Sequence, residues 1–107
     1  MSAITTHVLD TSRGLPAAGI RVGLEVRLPD GSWKLLGKGL TDADGRARNL
    51  LPEDSPLTEG VYRLLFDNLP DGLYPEVSVA FRVRDTTRHY HIPLLLSPYG
   101  YTTYRGS

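Results

Sequence analysis

The chain has 107 residues, 40% of them hydrophobic and 22% charged, and its twelve basic and twelve acidic side chains give a formal net charge of zero. This length and composition predict one globular domain over residues 1–107. The balanced charge disfavours a nucleic-acid partner, which would require a basic face. The lack of cysteine excludes a disulfide framework and a thiol nucleophile.

The first ten residues show neither the basic segment nor the apolar run of a signal peptide. No apolar stretch in the sequence reaches the length of a transmembrane helix. We therefore predict a cytoplasmic protein with no membrane partner.

Apolar and polar residues alternate with a period of two along nearly the whole chain, which predicts β-strands. Turn sequences such as PDG at 29–31 and LPDG at 69–72 separate the strand candidates. The pattern predicts an all-β sandwich or barrel of seven or eight short strands. In chain order the candidates are ITTHVLD at 4–10, IRVGLEVRL at 20–28, SWKLLGKGL at 32–40, VYRLLF at 61–66, PEVSVAFRV at 75–83, HYHIPLLL at 89–96 and YGYTTYR at 99–105.

The three histidines, His7, His89 and His91, all lie on strand candidates. Alternation places His7 on the face opposite Ile4 and Val8, and it places His89 and His91 together on the polar face of their strand. Two kinds of chemistry are open to them: a zinc site with three nitrogen ligands, or acid–base catalysis without a metal. A structural role is the alternative for any one of them.

The segment TDADGRA at 41–47 resembles the start of a calcium loop, with acidic residues at its first, third and twelfth positions: Asp42, Asp44 and Glu53. However, Arg46 occupies the fifth position, and the glycine expected at the sixth is absent, so calcium is disfavoured. We predict a tight turn that leaves Arg46 available to bind an anion or a carbonyl oxygen.

The chain finishes with Tyr99, Tyr101 and Tyr104 close together and with the tetrapeptide Tyr-Arg-Gly-Ser. Such rigid aromatic residues are unusual in a terminal segment, which is normally small, polar and loose. The sequence contains neither the Gly-x-Ser-x-Gly motif of serine hydrolases nor a glycine-rich phosphate loop.

Four segments together resemble 5-hydroxyisourate hydrolase, the transthyretin-related enzyme family of purine catabolism: THVLD at 6–10, TDADGR at 41–46, YPEV at 74–77 and HYHIPLLLSPYGYTTYRGS at 89–107. The terminal Tyr-Arg-Gly-Ser is the most specific of them, because transthyretin itself lacks it. The resemblance implies a transthyretin-like two-sheet β-sandwich and a homotetramer built as a dimer of dimers. It also implies hydrolytic ring opening of 5-hydroxyisourate to 2-oxo-4-hydroxy-4-carboxy-5-ureidoimidazoline, a step of urate degradation.

The resemblance also implies the residues of the site, with no metal and no cofactor. We expect His7 and His91 to handle protons, Arg46 to stabilise the developing negative charge, and Ser107 to orient water. The expected catalytic residues are His7, Arg46, His91 and Ser107, and the expected substrate-binding residues are His7, Arg46, Tyr104 and Arg105. His89 is assigned to structure, and Tyr99 and Tyr101 are assigned to packing between subunits. The link at 68–73 is shorter than in many family members, which carry a short helix there.

Three other functions are considered: a transthyretin-type carrier, a metal-dependent hydrolase using the three histidines, and an adhesion module. A carrier would have no need of His7, His91 and the terminal motif together. An adhesion module would be expected to carry disulfides or an export signal.

Overall fold

The computed structural model describes residues 2–107, and its regular elements are ten β-strands. No helix in this part of the chain is long and apolar enough to cross a membrane. The strands are β1 (Ile4–Asp10), β2 (Leu15–Pro16), β3 (Arg21–Arg27), β4 (Trp33–Leu40), β5 (Arg46–Ala47), β6 (Gly60–Asp67), β7 (Val77–Val83), β8 (Tyr90–His91), β9 (Leu94–Ser97) and β10 (Gly100–Thr103).

The strands form two sheets. In the first sheet the order is β10-β9-β1-β2, and the short strands β5 and β8 also pair with β1. The second sheet has the order β4-β3-β6-β7. The prediction of an all-β, two-sheet fold is confirmed. The seven strands of four or more residues correspond to the predicted ones, and the other three contain only two residues each.

The hydrophobic core is formed by alternate side chains of the paired strands. On β3, Val22 and Leu24 are buried, and on β6 Tyr62, Leu64 and Phe66 are buried, as the alternation predicted. Each fully buried side chain of this size contributes about 1.5–3 kcal/mol to folding. The polar residues between them face outward, where Arg63 Nε donates to Glu25 Oε1 at 2.6 Å across the strands.

The short link between β6 and β7 contains no helix in the structure. Asn68 adopts a positive φ of 57°, and its amide donates to the carbonyl of Gly19 at 2.9 Å. Further on, the backbone N–H of Leu73 donates to the carbonyl of Pro98 at 2.8 Å. The link therefore lies against the turn between β9 and β10.

The predicted tight turn at Asp42–Gly45 packs directly against β1. The carboxylate of Asp42 accepts hydrogen bonds from the N–H groups of Arg46 (3.0 Å) and Asp44 (2.9 Å), and the bond from Arg46 is the main cause that lowers the pKa of Asp42. Gly45 has a φ of 77°, and a Cβ there would lie 2.4 Å from the carbonyl oxygen of Val8. Only glycine permits this contact, which brings Arg46 beside β1.

Gly45→Ala should therefore lower stability and displace β5. The matched control is Gly31→Ala, because Gly31 has a φ of 88° but open space around its Cβ position. In the control, the free energy of unfolding should fall only by the cost of placing alanine in the left-handed backbone conformation, about 1–2 kcal/mol. Gly45→Ala should lose about 3 kcal/mol or more, since backbone must also move. Denaturant unfolding measures both, and equal losses would show that the contact with Val8 is unimportant.

Candidate active site

A cleft of about 340 Å³ opens beside β1. This volume suits a small organic ligand. Its lining combines hydroxyl, guanidinium and imidazole groups from β1, the β5 region, the β8 region and the chain end. The lining residues are Thr5, Thr6, Arg46, Arg48, His89, His91, Gly106 and Ser107.

Strand register places the histidines and Arg46 on one face of the first sheet. His7 of β1 pairs with Arg46 of β5, and Thr5 of β1 pairs with His91 of β8. Paired residues project to the same side of a sheet, and so do residues two apart on one strand. Thr5, His7, Arg46 and His91 therefore share the face opposite the buried Ile4 and Val8.

The imidazole of His91 is held by one hydroxyl group. Thr5 Oγ1 lies 2.8 Å from His91 Nδ1 and 2.7 Å from His89 Nε2. The two rings are nearly perpendicular, with their centroids 6.4 Å apart. Because Nδ1 of His91 is engaged with Thr5, Nε2 is the nitrogen available to a water molecule or a ligand.

Burial is the main cause that lowers the pKa of His91, and the positive charge of Arg46 and the neighbouring His7 and His89 act in the same direction. His91 is therefore neutral at pH 7, since its pKa lies below the ordinary value of 6.5. A neutral imidazole can accept a proton, which a general base requires.

Two arginines give the cleft a positive character. Arg46 follows the turn at Asp42–Gly45, and Arg48 is held by an ion pair from its Nη1 to Asp42 Oδ2 at 3.1 Å. Guanidinium groups in such a position bind a carboxylate, an enolate or a polarised carbonyl oxygen.

The last residues of the described chain are attached to the strand that carries His91. The N–H of Gly106 donates to the carbonyl of His91 at 2.8 Å and forms an isolated bridge with it. A Cβ on Gly106 would lie only 2.6 Å from Cδ2 of the His91 ring. The glycine of the terminal motif is therefore needed for the close contact with the imidazole, and Ser107 follows it into the cleft.

Tyr104 and Arg105 lie outside the cleft lining in the single chain. The guanidinium of Arg105 stacks on the ring of Tyr90, with 4.3 Å between Cζ and the ring centroid, and its Nη2 donates to the carbonyl of His89 at 3.2 Å. Tyr104 is 52% exposed. Arg105 thus attaches the tail to β8, and Tyr104 faces outward.

Of the expected site residues, the structure brings Arg46, His91 and Ser107 into one cleft and places His7 beside Arg46 by strand register. Sequence reasoning did not assign five of the lining residues to the site, and it assigned one of these, His89, to structure: Thr5, Thr6, Arg48, His89 and Gly106. Alternation does place Thr5 on the face of His7, but nothing in the sequence shows that its hydroxyl meets two imidazoles.

The structure does not support the alternative of a zinc site. Among residues 2–107, no three His, Cys, Asp or Glu side chains are grouped so that they could hold a metal ion. His89 and His91 instead direct one nitrogen each to Thr5.

Comparison with known proteins gives the family. A profile of the HIUase/Transthyretin family matches residues 4–106. The chain belongs to the HIUase/Transthyretin family. It is 43% identical to a 5-hydroxyisourate hydrolase of Salmonella dublin, covering 97% of this chain and 80% of that protein. It is also 43% identical to the 5-hydroxyisourate hydrolase of Mus musculus, covering 99% and 96%.

Two further similarities concern the length and the fold. The chain is 43% identical to the uric acid degradation bifunctional protein TTL of Arabidopsis thaliana, but spans only 37% of its length. The crystal structure of sea bream transthyretin in complex with thyroxine superposes with a TM-score of 0.88, at 31% identity, covering 98% of this chain and 95% of that one. The predicted transthyretin-like sandwich and family membership are confirmed, and the relatives' names support the prediction of an enzyme.

Replacing Gly106 with alanine should disturb the site while leaving the fold intact. The new methyl group would contact the His91 ring at 2.6 Å, so the imidazole or the chain end must shift. A shift of about 1 Å in a catalytic group can lower turnover roughly a hundredfold. The control is Gly100→Ala, where the methyl group would meet only Ser97 Oγ at 3.5 Å. Turnover and circular dichroism test this, and full activity of Gly106→Ala would contradict it.

The imidazole of His91 should titrate below pH 6.5 when followed by NMR. As pH falls through 6.5, the unfolded chain binds a proton that folded His91 does not, so the free energy of unfolding decreases toward low pH.

Arg46→Met should raise the pKa of His91, because a positive charge is removed. Arg82→Met, on the exposed side of β7, should leave it unchanged. An unshifted His91 in the Arg46 variant would exclude their electrostatic coupling.

Proposed function

We propose that this protein is a hydrolase that converts 5-hydroxyisourate to 2-oxo-4-hydroxy-4-carboxy-5-ureidoimidazoline in urate degradation. The observation that carries the proposal is the cleft that combines His91, Arg46 and Ser107 in a chain whose relatives are named for this activity. The proposal includes a single domain over residues 1–107, a cytoplasmic location, and no metal or cofactor.

The chemistry is direct attack of water on the C6 carbonyl of the substrate, followed by breakage of the bond from N1 to C6. Neutral His91 removes a proton from the water at Nε2, and Arg46 stabilises the oxyanion. His7, which pairs with Arg46 across the strands, is the second proton-handling group. A positioned base contributes about 10²–10⁴-fold and one oxyanion donor about 10²–10³-fold.

The chain end completes the site in this proposal. Ser107 orients the water, and Tyr104 and Arg105 bind the polar edge of the substrate. In the single chain Arg105 is docked on Tyr90 and Tyr104 is largely exposed, so these two roles require a neighbouring subunit or a rearrangement on binding.

A homotetramer, built as a dimer of dimers, supplies such neighbours. Tyr99 is 80% exposed and Tyr101 is 43% exposed, and aromatic residues of this kind favour interfaces. At the outer strands β10 and β7, one edge of each sheet has no pairing strand among residues 2–107. Both features favour assembly with further copies, which light scattering would detect.

A transthyretin-type carrier is the alternative, because the fold is shared with sea bream transthyretin. The identity to the named hydrolases is higher, at 43% compared with 31%. A carrier function also does not require a neutral histidine and Arg46 in one cleft.

The proposal is tested by generating 5-hydroxyisourate from urate in situ and following its ultraviolet absorbance with and without the protein. His7→Ala, Arg46→Ala and His91→Ala should each lower turnover by about a hundredfold or more, and His89→Ala should cost much less. Arg82→Ala is the control for loss of a surface arginine. Unchanged decay in the presence of the wild-type protein would refute the function.

A tag fused after Ser107 should impair turnover, because added residues must pass through the cleft that Ser107 lines. The same tag placed before residue 1 should be tolerated better, since Thr5 is the first lining residue. Deleting residues 104–107 should abolish turnover. Steady-state kinetics of the three forms, with circular dichroism to verify folding, measure this effect. A fully active truncated form would show that the terminal motif is outside the active site.

A further inference from the structure

The hydroxyl group of Thr5 links the protonation states of two histidines. It lies 2.7 Å from His89 Nε2 and 2.8 Å from His91 Nδ1. A hydroxyl carries one proton and two lone pairs. Among residues 2–107 the two rings are the only hydrogen-bond partners of Thr5 Oγ1, so its proton is used only when it donates to one ring and accepts from an N–H of the other. The position of the proton on one imidazole therefore decides its position on the other.

Two hydrogen-bond arrangements use both ring nitrogens and the Thr5 proton when both rings are neutral. In the first, His91 Nδ1–H donates to Thr5, Thr5 donates to His89 Nε2, and His91 Nε2 keeps a free lone pair. In the second, His89 Nε2–H donates to Thr5, Thr5 donates to His91 Nδ1, and the proton of His91 is on Nε2. The first arrangement makes His91 a base at Nε2, and the second makes it an acid there.

We propose that Thr5 and His89 are positioning residues that pass a proton between His91 and solvent, so that His91 acts first as base and then as acid in one turnover. This inference rests on the proposed hydrolase function. It gives His89 a role in the reaction, whereas sequence analysis assigned His89 to structure.

The proton transfer balances in each direction. When His91 Nε2 takes a proton from water, the Nδ1 proton passes to Thr5 Oγ1 and the Thr5 hydroxyl proton passes to His89 Nε2. His89 then releases its Nδ1 proton to solvent, which leaves both rings neutral and the proton from water on His91 Nε2. Transfer of that proton to the leaving nitrogen, with the reverse shift and uptake of one proton at His89 Nδ1, restores the starting state.

The surroundings favour movement of positive charge away from His91. His91 is half-buried and His89 is exposed to water. The charged and titratable groups around the pair are Arg46 and Arg48 in the cleft, His7 on β1, and Arg105 at the carbonyl of His89. A cation on His91 would face Arg46 and His7 with less water around it, whereas His89 is exposed to water that can solvate a positive charge.

The activity test compares Thr5→Val, which keeps the shape but removes the hydroxyl, with Thr5→Ser, which keeps the hydroxyl. Thr5→Val should lower kcat about tenfold or more and Thr5→Ser by less than about threefold. His89→Ala should lose about tenfold, and the double variant Thr5→Val/His89→Ala should be no worse than either single one. Thr86→Val, at an exposed turn position outside the cleft, is the control. Added imidazole should restore activity to His89→Ala but not to Thr5→Val.

A second measurement does not depend on activity. Nitrogen NMR of the imidazoles gives the tautomer and titration of each ring. In the wild-type protein the titrations of His89 and His91 should be coupled, and Thr5→Val should uncouple them, while Thr5→Ser keeps the coupling.

The outcomes separate the two proposals. A wild-type protein that does not hydrolyse 5-hydroxyisourate refutes the proposed function, and the NMR measurement then decides the linkage by itself. Independent titrations in the wild-type protein, or a Thr5→Val variant with unchanged kcat and pH profile, would overturn the inference. If Thr5→Val fails to fold, His89→Ala decides: wild-type kcat together with an unchanged His91 tautomer overturns the inference.

Discussion

The pairing of β1 with strands on both of its sides is the constraint on which the candidate site depends. Thr5 is paired with His91 and His7 with Arg46, through partner strands of only two residues each. A shift of one residue would turn every side chain of β1 to the other face of the sheet. Burial of Ile4 and Val8 on the core side opposes such a shift. The hydrophobic core therefore sets the position of the polar groups on the opposite face.

Two glycines allow the close backbone contacts that position the site residues, in addition to the strand pairing. Gly45 lets the Asp42–Gly45 turn touch the backbone of β1 at Val8, and Gly106 lets the chain end touch the ring of His91. In both places an added methyl group would be closer than 3 Å to its neighbour. Backbone hydrogen bonds hold both contacts, from the N–H of Val8 to the carbonyl of Gly45 at 2.7 Å and from the N–H of Gly106 to the carbonyl of His91 at 2.8 Å. Arg46 and His91 are therefore each placed by anchored backbone.

Much of the fold could be predicted from the sequence, because alternation with a period of two is directly visible in strands such as β3, β6 and β7. Strands of two residues, β5 and β8, are too short to show a period, although they hold Arg46 and His91. The family resemblance indicated Arg46 in the segment TDADGR, His91 before the apolar run and Ser107 in the terminal motif, and the structure brings these three into one cleft. Thr5 bridges His89 and His91, which lie 84 and 86 positions further along the chain. Local sequence patterns do not reveal contacts between residues so far apart.

The positive charge of Arg46 affects His91 in two ways. It keeps the imidazole unprotonated, and it also makes the imidazole a weaker base. Without a ligand, Arg46 helps to keep His91 neutral by lowering its pKa, which makes His91 available but weak as a base. Under the proposed function, an anionic substrate bound at Arg46 would offset that charge and raise the pKa of His91 again. The base would then become stronger only when substrate is present. Such a site keeps its histidine unprotonated while empty and gains basicity at the moment when a proton has to be removed.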